Sequence, residues 1–284
     1  MVKLIYGLAK FSNQRYGFGS KPKTLNKKKF LSDIQKNFDI FECGDRYYKS
    51  IKYVELLKKK DIHFKIDKIP VKRNIKIIES YFKNNIKLYI ATQNLKKIKV
   101  LYLHENSLKI ISNTKVLKVL KKLKKNKIVK NFGVSIYSEN ELKFAIHSDL
   151  YDYIQIPLNL TDSYLFFKYK NQLNKKKIVA RSLALQGTLL NSITNFKFKN
   201  KINEYIKKID SICSRNKITR EELVYRFVFS LNMLDYAIIG SINQINIKNI
   251  IKYKKKNRLN DKIMKELINL SKQKKRWANP RNWV

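Results

Sequence analysis

The chain is poor in the residues that break or cross-link a fold: of 284 residues, 4 are proline, 7 glycine and 2 cysteine. Cys43 and Cys213 cannot build a disulfide framework, and neither has a partner at metal-ligand spacing. No metal site is therefore expected, and the usage fits a reducing compartment. No Pro- or Gly-rich stretch divides the chain, so a single domain is expected over 1–284. No uncharged apolar run reaches the roughly 18 residues that a membrane helix needs. Near the N-terminus, Lys3 and Lys10 bracket a short stretch containing Gly7, which is not the apolar core of a signal peptide. Together these absences lead us to expect a soluble, unprocessed, cytoplasmic protein.

Acidic residues are scarce too: 21 Asp and Glu face 63 Lys and Arg, for a formal net charge of +42. A hydrophobic content of 44% nevertheless excludes a wholly disordered chain. Only 10 of the 63 basic residues are Arg, the side chain whose planar fork grips phosphates and guanine edges. Lys instead travels with Asn, Ile, Tyr and Phe, all of AT-rich codons. Its runs are dispersed, as at Lys27–Lys29, Lys121–Lys125 and Lys254–Lys256. We read the charge as a compositional bias spread over solvated faces, with no specific nucleic-acid partner expected.

Short β-branched or aromatic runs recur, each followed by a Lys-rich stretch of helical period. Strands are expected to begin near Lys3, Phe38, Ile62, Ile98, Asn131, Asp152, Lys177 and Asp235. Between them, Val116, Val119, Leu120 and Leu123 form one stripe of a helix over Thr114–Lys125. Thr219 and Glu222 read as a capping box opening a helix that runs to Leu231. Helices are also expected over Arg73–Asn84, Glu139–His147, Lys201–Arg215 and Asp261–Gln273. Eight alternating units indicate a parallel α/β fold. The first strand leads into GLAKFSNQRYG, which is not a Gly-rich phosphate loop. The closed eight-stranded (β/α)8 TIM barrel is therefore expected over the open doubly wound sheet.

In such a barrel, chemistry sits at the C-terminal strand ends. The second strand ends in Glu42, with Tyr47 in the loop behind it; the third carries Lys65, Asp67 and Lys68. The fourth ends in His104, the fifth in Ser135, and the sixth contains Gln155. The seventh ends in Arg181 and Ser182, and the eighth opens into Gly240 and Ser241 before a helix whose backbone N–H groups suit a phosphate. A Tyr, a Lys, a His and a carboxylate brought together make an acid–base site. A phenol with an ordinary pKa near 10 donates a proton at neutral pH only if a cation lowers that value. A close Lys does this, and the carboxylate keeps the Lys charged and placed.

The segment VLYLHENS followed by NKIVKNFGVS is similar to the fourth strand and following signature of the aldo-keto reductases. FECGDRYYKS resembles that family's tyrosine-bearing segment and FKIDKI its lysine-bearing strand. DYIQIPLNL, IVARSLALQGTLL and DYAIIGSINQINIKNI match later segments in order, so the resemblance covers nearly the whole chain. It implies reduction of an aldehyde or ketone by hydride from NADPH or NADH. Tyr47 would be the proton donor, Lys68 its pKa-lowering partner, His104 the residue orienting the carbonyl, and Glu42 the carboxylate, where the family has Asp. Ser135 and Gln155 match the residues that bind the nicotinamide carboxamide, and the usual Asn after that Ser is Ile136. Arg181 replaces the aromatic that stacks on nicotinamide, with Ser182 beside it. Gly240, Ser241 and Asn246 match the segment that binds the adenosine phosphate. Neither Gly240 nor Asn246 is cationic, which favours NADH or dual use. ARSLALQGTLL with the C-terminal PRNW is similar to a subgroup found among enzymes of surface-carbohydrate synthesis, implying a small sugar or sugar-nucleotide carbonyl as substrate. The departures at positions 42, 136, 240 and 246 leave an alternative, a catalytically impaired barrel serving as a binding or regulatory subunit. The sequence assigns no oligomeric state.

Overall fold

The computed structural model describes residues 2–11, 26–44, 53–57, 60–93, 97–104, 107–191, 197–273 and 275–283. Eight parallel strands close into a barrel in chain order, with the last pairing back to the first. They are β1 (Lys3–Gly7), β2 (Ile40–Gly44), β3 (Asp61–Ile66), β4 (Ile98–Leu103), β5 (Val129–Ser135), β6 (Tyr151–Pro157), β7 (Lys177–Arg181) and β8 (Tyr236–Ile239). Every expected strand is present, and the fold is the expected (β/α)8 barrel.

The longer helices are α1 (Lys27–Ile34), α2 (Ile75–Gln93), α3 (Thr114–Lys125), α4 (Glu139–His147), α5 (Lys199–Arg215), α6 (Arg220–Phe229), α7 (Gln244–Lys255) and α8 (Asp261–Ser271). α3 has the expected bounds. The Asn113 side chain accepts the free N–H groups of Lys115 and Val116 at its start, and the stripe Val116, Val119, Leu120 and Leu123 is buried. α2 outruns its expected end at Asn84, because Ile86 and Tyr89 continue the buried stripe set by Ile78 and Phe82. Thr219 does cap α6 by accepting from the Glu222 backbone N–H at 3.2 Å. The Glu222 carboxylate, however, binds Arg226 and Lys256, each at 2.7 Å.

Two layers of core follow from strand alternation. Outward residues such as Phe41, Phe64, Leu101 and Ile154 pack against the helices. Inward residues Ile5, Ile40, Val100, Tyr102, Tyr153 and Val179 fill the barrel. Among the described residues, no helix is long and apolar enough to cross a membrane.

Candidate active site

The period of two in β3 decides which of its polar residues reach the interior. Phe64 faces outward and stacks on Tyr89 of α2, with ring centroids 4.1 Å apart. His63 faces inward, its ring within 6.1 Å of those of Tyr102, Tyr153 and Tyr236. Lys65 and Asp67 lie in phase with His63, and both are buried. Two hydroxyls of α2 hold this end of β3: Tyr89 donates to the Lys65 carbonyl at 3.0 Å and Tyr81 to the Asp67 carbonyl at 2.5 Å. Beyond the strand, Lys68 turns into left-handed backbone at φ 51° and is exposed.

The lysine that meets the site carboxylate is consequently Lys65. Its Nζ lies 2.8 Å from Glu42 Oε1, with both side chains almost fully shielded from solvent. The β3 sequence carries a signal for this: Ile62, Phe64 and Ile66 alternate with His63, Lys65 and Asp67, so Lys68 is out of phase with the polar face. His104 follows β4 and is fixed by its backbone N–H, which donates to the Ile66 carbonyl at 2.8 Å. Its Nδ1 lies 3.6 Å from Asp67 Oδ2, too far for a hydrogen bond. Tyr47 lies outside the described residues. Glu42, Lys65, Asp67 and His104 thus stand at the C-terminal ends of three neighbouring strands.

Across the barrel, Gln155 of β6 donates through Nε2 to Glu42 Oε2. Glu42 therefore joins β3 to β6 through its two oxygens. Burial raises the Tyr102 hydroxyl well above the ordinary phenol range and the Glu42 charge adds to this, while the Gln155 amide pulls the other way. The same hydroxyl lies 3.4 Å from His63 Nδ1. Burial also pushes the His63 imidazole down, to about 3, so the ring is neutral at pH 7 and Nδ1 can accept.

The positions matched to a dinucleotide lie around this mouth. Ser135 is buried and in register with Gln155. Gln155 Oε1 is buried without a hydrogen-bond partner, a condition that costs about 1–3 kcal/mol until a donor arrives. Arg181 donates from Nη2 to the Ile136 carbonyl at 2.7 Å and lies 3.8 Å above the Tyr137 ring. One face of the guanidinium is thus already stacked, and its buried Nε has no hydrogen-bond partner. Ser182 adopts φ 59° and its carbonyl accepts from Asn159 Nδ2 at 3.0 Å. Gly240 and Ser241 follow β8, and the Ser241 carbonyl accepts from the Tyr6 hydroxyl at 2.6 Å. The start of α7 is not open: Asn243 Oδ1 takes the N–H groups of Ile245 at 2.9 Å and Asn246 at 3.3 Å. Two buried atoms without a hydrogen-bond partner, Gln155 Oε1 and Arg181 Nε, suit a ligand with an amide and anionic groups. Ser135, Gln155 and Arg181 are the residues suited to hold its nicotinamide end.

Residues 3–272 match the model of the aldo/keto reductase family, and the chain belongs to that family. Solved structures share the fold at low identity. The holo form of aldo-keto reductase AKR11C1 from Bacillus halodurans has TM-score 0.75 and 12% identity, covering 95% of this chain and 92% of that one. Glycerol dehydrogenase AKR11B4 from Gluconobacter oxydans has TM-score 0.70 and 14% identity, covering 94% and 90%. A comparison with curated protein sequences finds no match.

Proposed function

We propose that the protein is an NAD(P)H-dependent carbonyl reductase acting on a small aldehyde or ketone, with Tyr47 as general acid. The observation that carries this reading is the buried Lys65–Glu42 pair at the C-terminal mouth of the barrel, where His104 also stands. A reduced nicotinamide held by Ser135, Gln155 and Arg181 would supply the hydride for the carbonyl carbon. Tyr47 gives its proton to the carbonyl oxygen, and His104 holds that oxygen in place. We transfer to Lys65 the role first given to Lys68, lowering the phenol pKa, because Lys65 has the carboxylate partner and the burial which that role needs. Ser135 and Gln155 take the carboxamide, and Arg181 and Ser182 flank the ring. Gly240, Ser241 and Asn246 line the adenosine end. The absence of a cation at 240 and 246, and the capping of α7 by Asn243, favour NADH or dual use over strict NADPH. A sugar-type carbonyl is the substrate class we infer from the ARSLALQGTLL and PRNW segments. Two buried thiols, Cys43 and Cys213, suit a cytoplasmic setting.

The test is a fluorescence titration of the full chain with NADH and, separately, NADPH, followed by turnover of a panel of sugar aldehydes and ketones. We expect saturable binding, with NADH bound at least as tightly as NADPH. Tyr47→Phe should abolish turnover while keeping nucleotide affinity. Lys65→Met should cost turnover about 10²-fold or more, and Lys68→Met little. A folded protein that binds neither nucleotide overturns the reading. The second reading, a barrel that binds without turnover, is favoured by the hold of Glu42 on Gln155. Saturable nucleotide binding with no turnover on the whole panel would select it.

A further inference from the structure

The third strand delivers a second acid to the barrel mouth, beside the Lys65–Glu42 pair. Asp67 is 1% exposed, and the Tyr81 hydroxyl of α2 fixes its backbone by donating to its carbonyl at 2.5 Å. The ring of His104 brings Nδ1 to 3.6 Å from Asp67 Oδ2, with both side chains largely shielded from solvent. An opposite charge within about 4–6 Å favours the charged form of its neighbour, with or without a hydrogen bond. Other charges described around β3 and β4 are spoken for: Lys65 and Glu42 pair at 2.8 Å, while Lys68 and Lys109, which follow the two strands, are exposed. On the far side of β4, β5 is followed by Ile136 and Tyr137, and Arg181 reaches the Ile136 carbonyl from β7.

The proton count on His104 follows from what its two nitrogens must face. A carboxylate only accepts hydrogen bonds, so the nitrogen turned to it, Nδ1, should carry hydrogen. A carbonyl oxygen also only accepts, so Nε2 must carry hydrogen to orient one. A neutral imidazole has a single N–H and cannot serve both; an imidazolium has two. One proton shared by the pair goes to the ring, because ordinary histidine titrates at about 6.5 and ordinary aspartate at about 3.9. We propose that Asp67 is a positioning residue that keeps His104 protonated, so that the substrate carbonyl meets a cationic Nε2–H instead of a neutral ring. The carbonyl half of this proposal rests on the reductase reading above; the charge pair itself does not.

The experiment follows the imidazole signals of the full chain, labelled with 15N-histidine, by NMR across pH and without nucleotide or substrate. The chain has three histidines, and the signal lost in His104→Gln identifies the relevant one. Its midpoint should lie about one unit or more above the ordinary 6.5 of histidine. Asp67→Asn should lower it by about one unit or more, and Asp67→Glu, which restores the charge, should keep it high. With a carbonyl substrate, kcat should fall as pH rises through the same midpoint, and that limb should move down in Asp67→Asn but not in Asp67→Glu. A merely structural role would lower kcat at every pH with the limb unmoved, and would overturn the proposal. A parent midpoint at or below about 6.5 overturns it without any variant, as does a high midpoint unmoved in Asp67→Asn. Because the titration needs no nucleotide, a chain that binds neither NADH nor NADPH overturns the reductase reading and leaves the charge pair to stand or fall on its own midpoint.

Discussion

His63 shows how much a single residue's surroundings decide. It is one of three histidines, sits on the inward face of β3, and is 1% exposed among three tyrosine rings. Burial pushes its imidazole from 6.5 to about 3. The unfolded chain therefore takes up a proton near pH 6.5 that the folded chain refuses until about pH 3, and stability falls as pH falls through that window. The slope from this one group is about 1.4 kcal/mol per pH unit. Urea unfolding from pH 6.5 to 4.5 should show a loss in the parent that is visibly shallower in His63→Gln; parallel curves would mean that the ring is protonated in the fold. The same inward face carries Lys65 and Asp67, and here the sequence was legible only in part. Residue types and their order pointed to Glu42, His104 and Lys68. Which β3 lysine faces the interior depends on where the strand ends: β3 stops at Ile66, and Lys68 leaves the barrel in left-handed backbone.

Elements were more legible than side-chain contacts, because strand and helix follow from periodicity summed over many residues. All eight strands and the helices over Thr114–Lys125 and Glu139–His147 could be read that way. The length of α2 was missed because Asn84 and Asn85 look like a stop, although the stripe through Ile86 and Tyr89 continues and secures the helix by tertiary packing. The contact between β4 and β5 was not legible at all. Tyr102 and Gly133 are register partners beside an irregularity between Phe132 and Gly133, and the tyrosine ring lies where a side chain at 133 would be. Gly133 is thus a space requirement of the barrel interior, one that keeps the Tyr102 hydroxyl near His63. Adding a methyl group must push the ring aside against closely packed neighbours, at a cost of about 1–3 kcal/mol. Gly133→Ala should lose that much stability in urea unfolding and loosen the Gln155 amide, reducing nucleotide affinity. An unaltered unfolding midpoint would show that the ring has room to move.

At the scale of the whole molecule, charge is the term with the largest imbalance. With 63 basic and 21 acidic residues, at most 21 cations can be matched one to one, and 63 − 21 = 42 remain unmatched. Among the described residues most ion pairs have at least one exposed partner, and pairs exposed on both sides, such as Lys36–Asp33 and Arg215–Glu266, contribute about 0–1 kcal/mol each. Repulsion among the unmatched cations acts over the whole surface. A chain of this length folds to a radius of gyration of about 19 Å. The Debye length is about 30 Å at 0.01 M salt and about 8 Å at 0.15 M. At low salt every cation therefore feels most of the others, and at physiological salt only its neighbours. Unfolding spreads the same charges apart, so the repulsion is felt mainly by the compact state. Added sodium chloride should accordingly raise the thermal midpoint and the urea midpoint between 0.01 and 0.15 M, by several degrees in the former. The same screening should slow association with an anionic dinucleotide, because it removes the attraction that steers it to the barrel mouth. A protein held chiefly by its ion pairs would respond with the opposite sign, losing stability as salt rises, so the direction of the shift distinguishes the two cases.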